Sequence, residues 1–446
     1  MVTREALLPK DKLQEMDEKR WLVRYLILAA LGTILAFKVY VTLFVIDMTV
    51  GAYSIATGSV IFGYFLLSYA KFKDPYLETK NLSLSNRKPL VSIIVAVKNE
   101  ERFIRNCIQA CINSTYPNKE IIVIDDGSTD KTPQILDEIS LEADIHIIHT
   151  SKSRGKKSGI EMGIDMAFGE IYVFTDSDCN MAPDAIEKAV EIFMSDNRIG
   201  AITGHGRIRD ASSGNTLEKL QDVWYDGQYR IYKGAESSFS TLSCCSGPFT
   251  AYRKEAVRPH IHSWVHDKFL GKEFKFATDR RLTAFVLGAH KTRENLDGHG
   301  YAWKMKYSPS IRVFIGTPKN IHALLKQQIR WRKSFIRSIF STGGVFWRRP
   351  FPIALLYYLQ LCLKMVRPYI VLKSVVLLPI MGDYFTCVLY FSSVFFTSMI
   401  YAVDFRLRNP GNGIWLYRLI MTMFSTFVFI WLIIYSLITI RNPTWR

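Results

Sequence analysis

Two acidic strings in this chain have the residue types and spacing to hold a cation and a phosphate. They are Asp125-Asp126-Gly127-Ser128 and Asp176-Ser177-Asp178. Asp-x-Asp suits a hard divalent ion that must also grip a diphosphate, because it supplies a few oxygen ligands and leaves coordination positions open. Standing alone, such a string is more often a turn after a strand, where Asp is simply a good turn residue. Here two of them fall between residues 91 and 182, with the basic Arg154-Gly155-Lys156-Lys157 between them.

The elements that must position these groups are readable from the apolar pattern. Val91–Val97, the run into Asp125 and the run into Asp176 are short and rich in β-branched residues, with helical stretches between them. This predicts buried parallel strands in a βαβ arrangement. Open α/β sheets bind ligands just beyond the carboxyl ends of their strands, so both acidic strings are expected to meet in one crevice.

The pattern resembles the inverting nucleotide-sugar glycosyltransferases of the GT-A fold, and within them the membrane-integrated processive polysaccharide synthases. Three further strings carry the resemblance: Ser246-Gly247-Pro248, Asp279-Arg280-Arg281-Leu282-Thr283 and Gln327-Gln328-Ile329-Arg330-Trp331. Together with the ending Ile440-Arg441-Asn442, followed by Trp445, they look closest to hyaluronan synthases. Chitin and chitooligosaccharide synthases share the first three. The resemblance implies an α/β GT-A domain, Rossmann-like with a mostly parallel sheet, embedded in an α-helical transmembrane region with interfacial helices.

It also implies roles. Glu100, Asp125, Asp126, Lys156, Asp176, Gln327 and Arg330 would bind the nucleotide-sugar, and Asp178 would hold Mn²⁺ or Mg²⁺. Cys244, Gly247, Pro248, Gln328 and Trp331 would line the acceptor site. An indole suits the apolar face of a pyranose, and Arg suits phosphate oxygens. Asp279 would be the general base, since an inverting transfer needs one carboxylate to take the acceptor hydroxyl proton. The family has a second carboxylate just before it, where this chain has Thr278. Trp445 and Arg446 stand near the place of a cytosolic Trp-Gly-Thr-Arg gating string, although Gly-Thr is missing.

Composition supports a membrane enzyme. The 446 residues carry a net charge of +17, and 49% are hydrophobic. The apolar residues concentrate at the two ends. The basic residues flank the apolar segments, as in cytosolic loops of membrane proteins, and do not form a stripe interleaved with aromatics, so nucleic acid is not an expected partner. The seven cysteines show no Cys-x-x-Cys spacing, which argues against a zinc site or disulfide framework. No cleavable signal peptide is evident, because a charged leader precedes the first apolar run.

Spanning a bilayer takes roughly 20 apolar residues. The expected organisation is a cytosolic segment over 1–24, two transmembrane helices within 25–70 and a catalytic domain over 89–310. An interfacial region over 317–349, C-terminal transmembrane helices over 353–440 and a gating-like tail over 441–446 complete it. Residues 217–235 read as an amphipathic helix, either packed on the domain surface or lying at the membrane interface. Lys364, Arg367 and Lys373 within 353–381 are costly in lipid and suggest a re-entrant hairpin, more than one pass or a channel wall.

The expected activity is that of a hexosyltransferase extending a polysaccharide from UDP-GlcNAc and UDP-glucuronate. It would work as a monomer among plasma-membrane lipids, with its catalytic domain in the cytosol. One alternative is a synthase using UDP-GlcNAc alone, for chitin-like or poly-N-acetylglucosamine chains. Others are a non-processive transferase to a lipid carrier and a transporter without chemistry.

Overall fold

The computed structural model describes residues 21–79, 87–274, 278–289, 303–318 and 320–441. Trp445, Arg446, Ala277 and His299 lie outside them.

An eight-stranded mixed sheet forms the centre. We number its strands β1 (Val91–Val97), β2 (Lys119–Asp125), β3 (His146–His149), β4 (Ile171–Phe174), β5 (Asn180–Met181), β6 (Ile199–Ile208), β7 (Thr250–Arg253) and β8 (Lys304–Ile315). The spatial order is β3-β2-β1-β4-β7-β6-β8-β5. β1 pairs in parallel with β2 and β4, and β2 with β3. β7 runs antiparallel between β4 and β6, and β8 lies parallel to β6. Residues 91–95 of β1 and all of β4 are buried, which is why these strands read as continuous apolar runs and not as alternating ones.

The helices that concern the site are α1 (Trp21–Phe44), α2 (Met48–Ala70), α3 (Ile104–Ile112), α4 (Thr132–Glu142), α5 (Lys156–Met166) and α6 (Ala185–Ser195). They continue with α7 (Thr216–Gly227), α8 (Ile261–Val265), α9 (Thr278–Gly288), α10 (Ile321–Ser341), α11 (Phe351–Leu372) and α12 (Tyr384–Arg408). Among the described residues four segments are long and apolar enough to cross a membrane: Trp21–Phe44, Met48–Glu78, Tyr384–Arg408 and Gly413–Ile438.

The segment 353–381 differs from the hairpin expectation. α11 continues through a π-helical stretch, Lys373–Leu377, into Leu378–Ile380, so the chain is helical from 351 to 380. Its charges find partners among neighbouring helices, which removes the need for a hairpin. Lys373 pairs with Asp47 at 2.9 Å, and Arg367 donates to Thr426. At its other end Leu356 sits against Gly63 of α2, where a Cβ would come within 2.8 Å.

α7 also differs from the surface-helix reading. Leu220, Gln221, Asp222, Val223, Tyr225 and Asp226 are all buried. The helix lies between the sheet and the membrane helices, and a polar network fixes it there. Arg207 of β6 makes a two-pronged contact with Asp222, at 2.8 and 2.6 Å, and donates to Asn409 just beyond α12 at 2.8 Å. Arg230 bonds Asp226 at 2.9 Å. Arg408 and Tyr69 both donate to Asp404. Buried charges require such pairing; the Arg207–Asn409 bond joins the sheet to the end of α12, and the Tyr69–Asp404 bond joins α12 to α2.

Candidate active site

β1 ends at Val97 and β2 at Asp125, side by side. The loops beyond them are stitched together. Asn99 takes a left-handed backbone, φ 53°, a conformation Asn tolerates better than most residues. Its side-chain oxygen accepts from Thr129 N at 2.8 Å, and its own N–H donates to Ser128 Oγ at 2.9 Å. Glu100 N donates to Thr132 Oγ1 at 2.9 Å, which puts Glu100 on this rim.

The first acidic pair is buried and engaged. Asp125 bonds His149 at 2.9 Å and accepts from Ser128 N at 3.1 Å. Asp126 accepts from Ser153 Oγ, Arg154 N and Gly155 N at 2.6, 2.6 and 2.9 Å. Asp126 therefore shapes the basic turn that opens α5. Gly155, at φ +93°, precedes Lys156, the first residue of that helix.

Lys156 projects onto the second pair, where its ammonium bonds Asp176. Burial works to lower the lysine pKa, but the charges of Asp176, Asp279 and Asp178 outweigh it and hold the group above the ordinary lysine range. The Asp178 carboxyl is pushed up, first by burial and then by the charge of Asp176. Ligand atoms of Asp176, Asp178 and Cys179 lie within 4.8 Å of one another. Two carboxylates converging beside an ammonium form a donor set that fits a divalent cation, and Lys156 marks the position where positive charge is favoured. Burial raises the pKa of Cys179, which keeps it a neutral thiol.

The third carboxylate arrives from the other side. Asp279 is in the first turn of α9, and its Oδ2 accepts from Gly247 N at 3.0 Å. Thr278 donates its hydroxyl to Asp279 Oδ1 at 2.9 Å. A Cβ on Gly247 would come within 2.6 Å of Asp176 Oδ2 and 3.0 Å of Asp279 Oδ2. Gly247 is thus the point of close approach between the acidic pair and Asp279, a role that requires the smallest residue. Pro248 holds the floor by accepting from Thr175 Oγ1 at 2.8 Å. Cys244 is half-buried; burial raises its thiol pKa, and Arg280, Lys233, Asp279 and Glu236 are its charged neighbours.

α10 brings the Gln-Gln-x-Arg-Trp string alongside α7. The Trp331 ring lies 6.0 Å from that of Trp224 and 5.9 Å from that of Tyr225. It nevertheless keeps 39% of its surface exposed. Tyr225 donates to Gln221 Oε1 at 3.2 Å, packs beside Trp331 and lies within electrostatic range of Asp178, so it borders both halves of the site. Gln327 Oε1 and Gln328 Nε2 are buried polar atoms that find no hydrogen-bond partner among the described residues. A native structure tolerates few such atoms without a ligand or water to satisfy them. Arg330 is half-buried on the same helix.

Sequence reasoning missed Tyr225 and Tyr229. Tyr229 lies within electrostatic range of Asp279 and Cys179. Their spacing of four residues, which stacks side chains on one helical face, was the available signal.

A second feature lies where α9, α10 and α11 meet. Lys364 interacts with Arg280, Arg332 and Arg367, with Glu236 as its acidic neighbour. Burial and the charge of Arg367 push the Arg332 guanidinium down to about 10. Arg280 follows Asp279 directly and Arg332 follows Trp331, so these basic residues are next in sequence to two residues of the site.

Residues 92–260 match glycosyl transferase family 2. Hyaluronan synthase of Streptococcus pyogenes is 26% identical over 364 residues, covering 80% of this chain and 82% of the relative. Poly-beta-1,6-N-acetyl-D-glucosamine synthase of Staphylococcus epidermidis is 28% identical over 256 residues, 56% of this chain and 57% of that protein. Among solved structures, a mannosyltransferase of Pyrobaculum calidifontis in complex with GDP-Man and Mn²⁺ superposes with TM-score 0.54 at 17% identity, covering 88% of this chain and 99% of that one. The mannosyltransferase supports the GT-A fold.

Proposed function

From the premise that this chain is a membrane glycosyltransferase with a family 2 domain, we propose that it is a processive, inverting polysaccharide synthase of the hyaluronan synthase type, using UDP-GlcNAc and UDP-glucuronate. The observation that carries this reading over a synthase of neutral poly-N-acetylglucosamine is that three arginines, Arg280, Arg332 and Arg367, lie within electrostatic range of the buried Lys364. Clustered cations repel one another and cost desolvation energy. An acceptor bearing a carboxylate on every second sugar offsets that cost, whereas a neutral polymer does not.

In this reading the uridine lies against the Asp125–Asp126 turn and Glu100, and the diphosphate lies among Lys156, Arg330 and the second acidic pair. Asp176 and Asp178 would hold Mn²⁺ or Mg²⁺, which when bound offsets the charge of the departing diphosphate. Trp331 supports the terminal acceptor sugar, above a floor of Cys244, Gly247, Pro248 and Gln328. Asp279 takes the proton of the acceptor hydroxyl as its oxygen bonds the anomeric carbon. The bond from that carbon to the UDP oxygen breaks, UDP leaves, and the configuration inverts. The Gly247 amide and Thr278 hydroxyl keep the Asp279 carboxylate aimed. The lengthened chain moves past Arg332 and Lys364 into the membrane helices. The protein would do this as a monomer in the plasma membrane, with the sheet facing the cytosol.

The test is UDP release by the purified protein in detergent with Mn²⁺, given each donor singly and both together. Long polymer and sustained turnover only with both donors supports the proposal. Equal turnover and polymer from UDP-GlcNAc alone would overturn it in favour of a poly-N-acetylglucosamine synthase.

A further inference from the structure

We propose a second, transition-metal site on the outer face of the catalytic domain, formed by Glu161, His262 and His266. Glu161 comes from α5, His262 from α8, and His266 from the residue that ends α8. One ligand atom from each lies within 4.8 Å of the other two. His262 Nδ1 is 3.8 Å from Glu161 Oε1, and the two imidazoles lie 4.5 Å apart between ring centroids. Glu161 is half-buried while both histidines are exposed, so the carboxylate is anchored and the imidazoles are free to adjust. Ligands on one metal at bond lengths of about 2.0–2.2 Å sit roughly 3–4 Å apart. Small rotations of the exposed rings close the remaining distance.

The donor set defines the ligand. Two imidazoles and one carboxylate favour a borderline ion such as Zn²⁺, Co²⁺ or Ni²⁺ over Mg²⁺, which prefers oxygen. It therefore differs from the acidic pair, whose carboxylates suit harder ions. The position gives it consequence. α5 begins with Lys156. α8 carries Trp264, whose Nε1 donates to Thr278 O at 3.0 Å, next to Asp279, and whose carbonyl accepts from Lys157 at 3.0 Å. A metal bridging Glu161 to the two histidines would tie the helix that presents Lys156 to the segment that supports Asp279.

The test uses the full-length protein in detergent, with any polyhistidine tag removed, and compares it with H262A/H266A. The substituted side chains are exposed, so folding is preserved. Zn²⁺ titration by calorimetry, and Co²⁺ titration followed by visible absorption, are expected to show one more bound ion per chain in the native protein. The double variant should lose that ion or bind it at least about tenfold more weakly, and Glu161→Gln should fall between the two. Zn²⁺ should raise the melting temperature of the native protein more than that of the double variant. A D178N control should keep the histidine-dependent binding. Equal stoichiometry and affinity in native protein and double variant, or no Co²⁺ spectrum that depends on the histidines, would overturn the proposal.

Discussion

The amide of Gly247 donates to Asp279 Oδ2 across 3.0 Å, and this bond joins the floor of the site to the carboxylate that faces the acidic pair. A group held by backbone is held at a fixed angle, and general-base catalysis depends on such fixed geometry.

Asp279→Asn keeps the shape of this contact and removes the proton acceptor. We expect polymer synthesis to fall by about 10²–10⁴-fold, the usual worth of a positioned base, with UDP affinity changed little. Calorimetric UDP binding alongside a UDP-release assay checks it; wild-type synthesis rates in the variant would dismiss Asp279 as the base.

Gly247→Ala probes the same junction from the other side. The added methyl would press on Asp176 Oδ2 at 2.6 Å, while the ordinary backbone conformation of Gly247 tolerates alanine. The loss should therefore appear in turnover and donor affinity, with only a modest drop in melting temperature. A variant that unfolds without losing specific activity in its folded fraction would contradict this.

Trp331→Ala should shorten the product and raise the ratio of UDP released to sugar incorporated, because the acceptor loses its platform and water competes. Trp331→Phe should recover part of the length. Gel analysis of polymer size against released UDP decides it, and unchanged length in both variants would remove Trp331 from the acceptor site.

The network under α7 sets an acid limit on stability. Burial pushes His205 down to about 3, so the unfolded chain binds a proton there at higher pH than the folded one. Stability should fall as pH drops from about 6.5 toward 3. Asp226 is held well below its usual range: burial works against this, but Arg230, His205 and Arg207 outweigh it. Its contribution is lost at still lower pH. His205→Gln should flatten the decline between pH 7 and pH 5 in a melting-temperature series, and an unchanged slope would count against this assignment.

The strands and the acidic strings were legible because they are local. A buried parallel strand must be continuously apolar, and Asp125, Asp126, Asp176 and Asp178 follow directly on such runs. The helix 351–380 was not legible, because the cost of Lys373 and Arg367 is met by Asp47 and Thr426, far away in sequence. The polar face of α7 looked like a solvent face for the same reason: Asp222 and Asp226 are buried against Arg207 and Arg230. That Asp126 spends its oxygens on the turn 153–155, and Asp125 on Ser128 and His149, is likewise invisible to spacing.

The link from Arg207 to Asn409 and Asp222 bears on how force could be delivered to a moving polymer. Arg207 bonds Asn409 beyond α12, and Arg418 reaches the carbonyls of Val223 and Trp224 in α7, so hydrogen bonds from buried guanidinium groups tie the sheet domain to the helical bundle. Rocking one against the other would break these bonds at each cycle and leave buried guanidinium donors unpaired, at a cost of about 1–3 kcal/mol apiece. For the proposed synthase, the stroke that advances the product by one sugar is then expected from small parts moving inside this frame, such as a side chain, a loop or the polymer end itself.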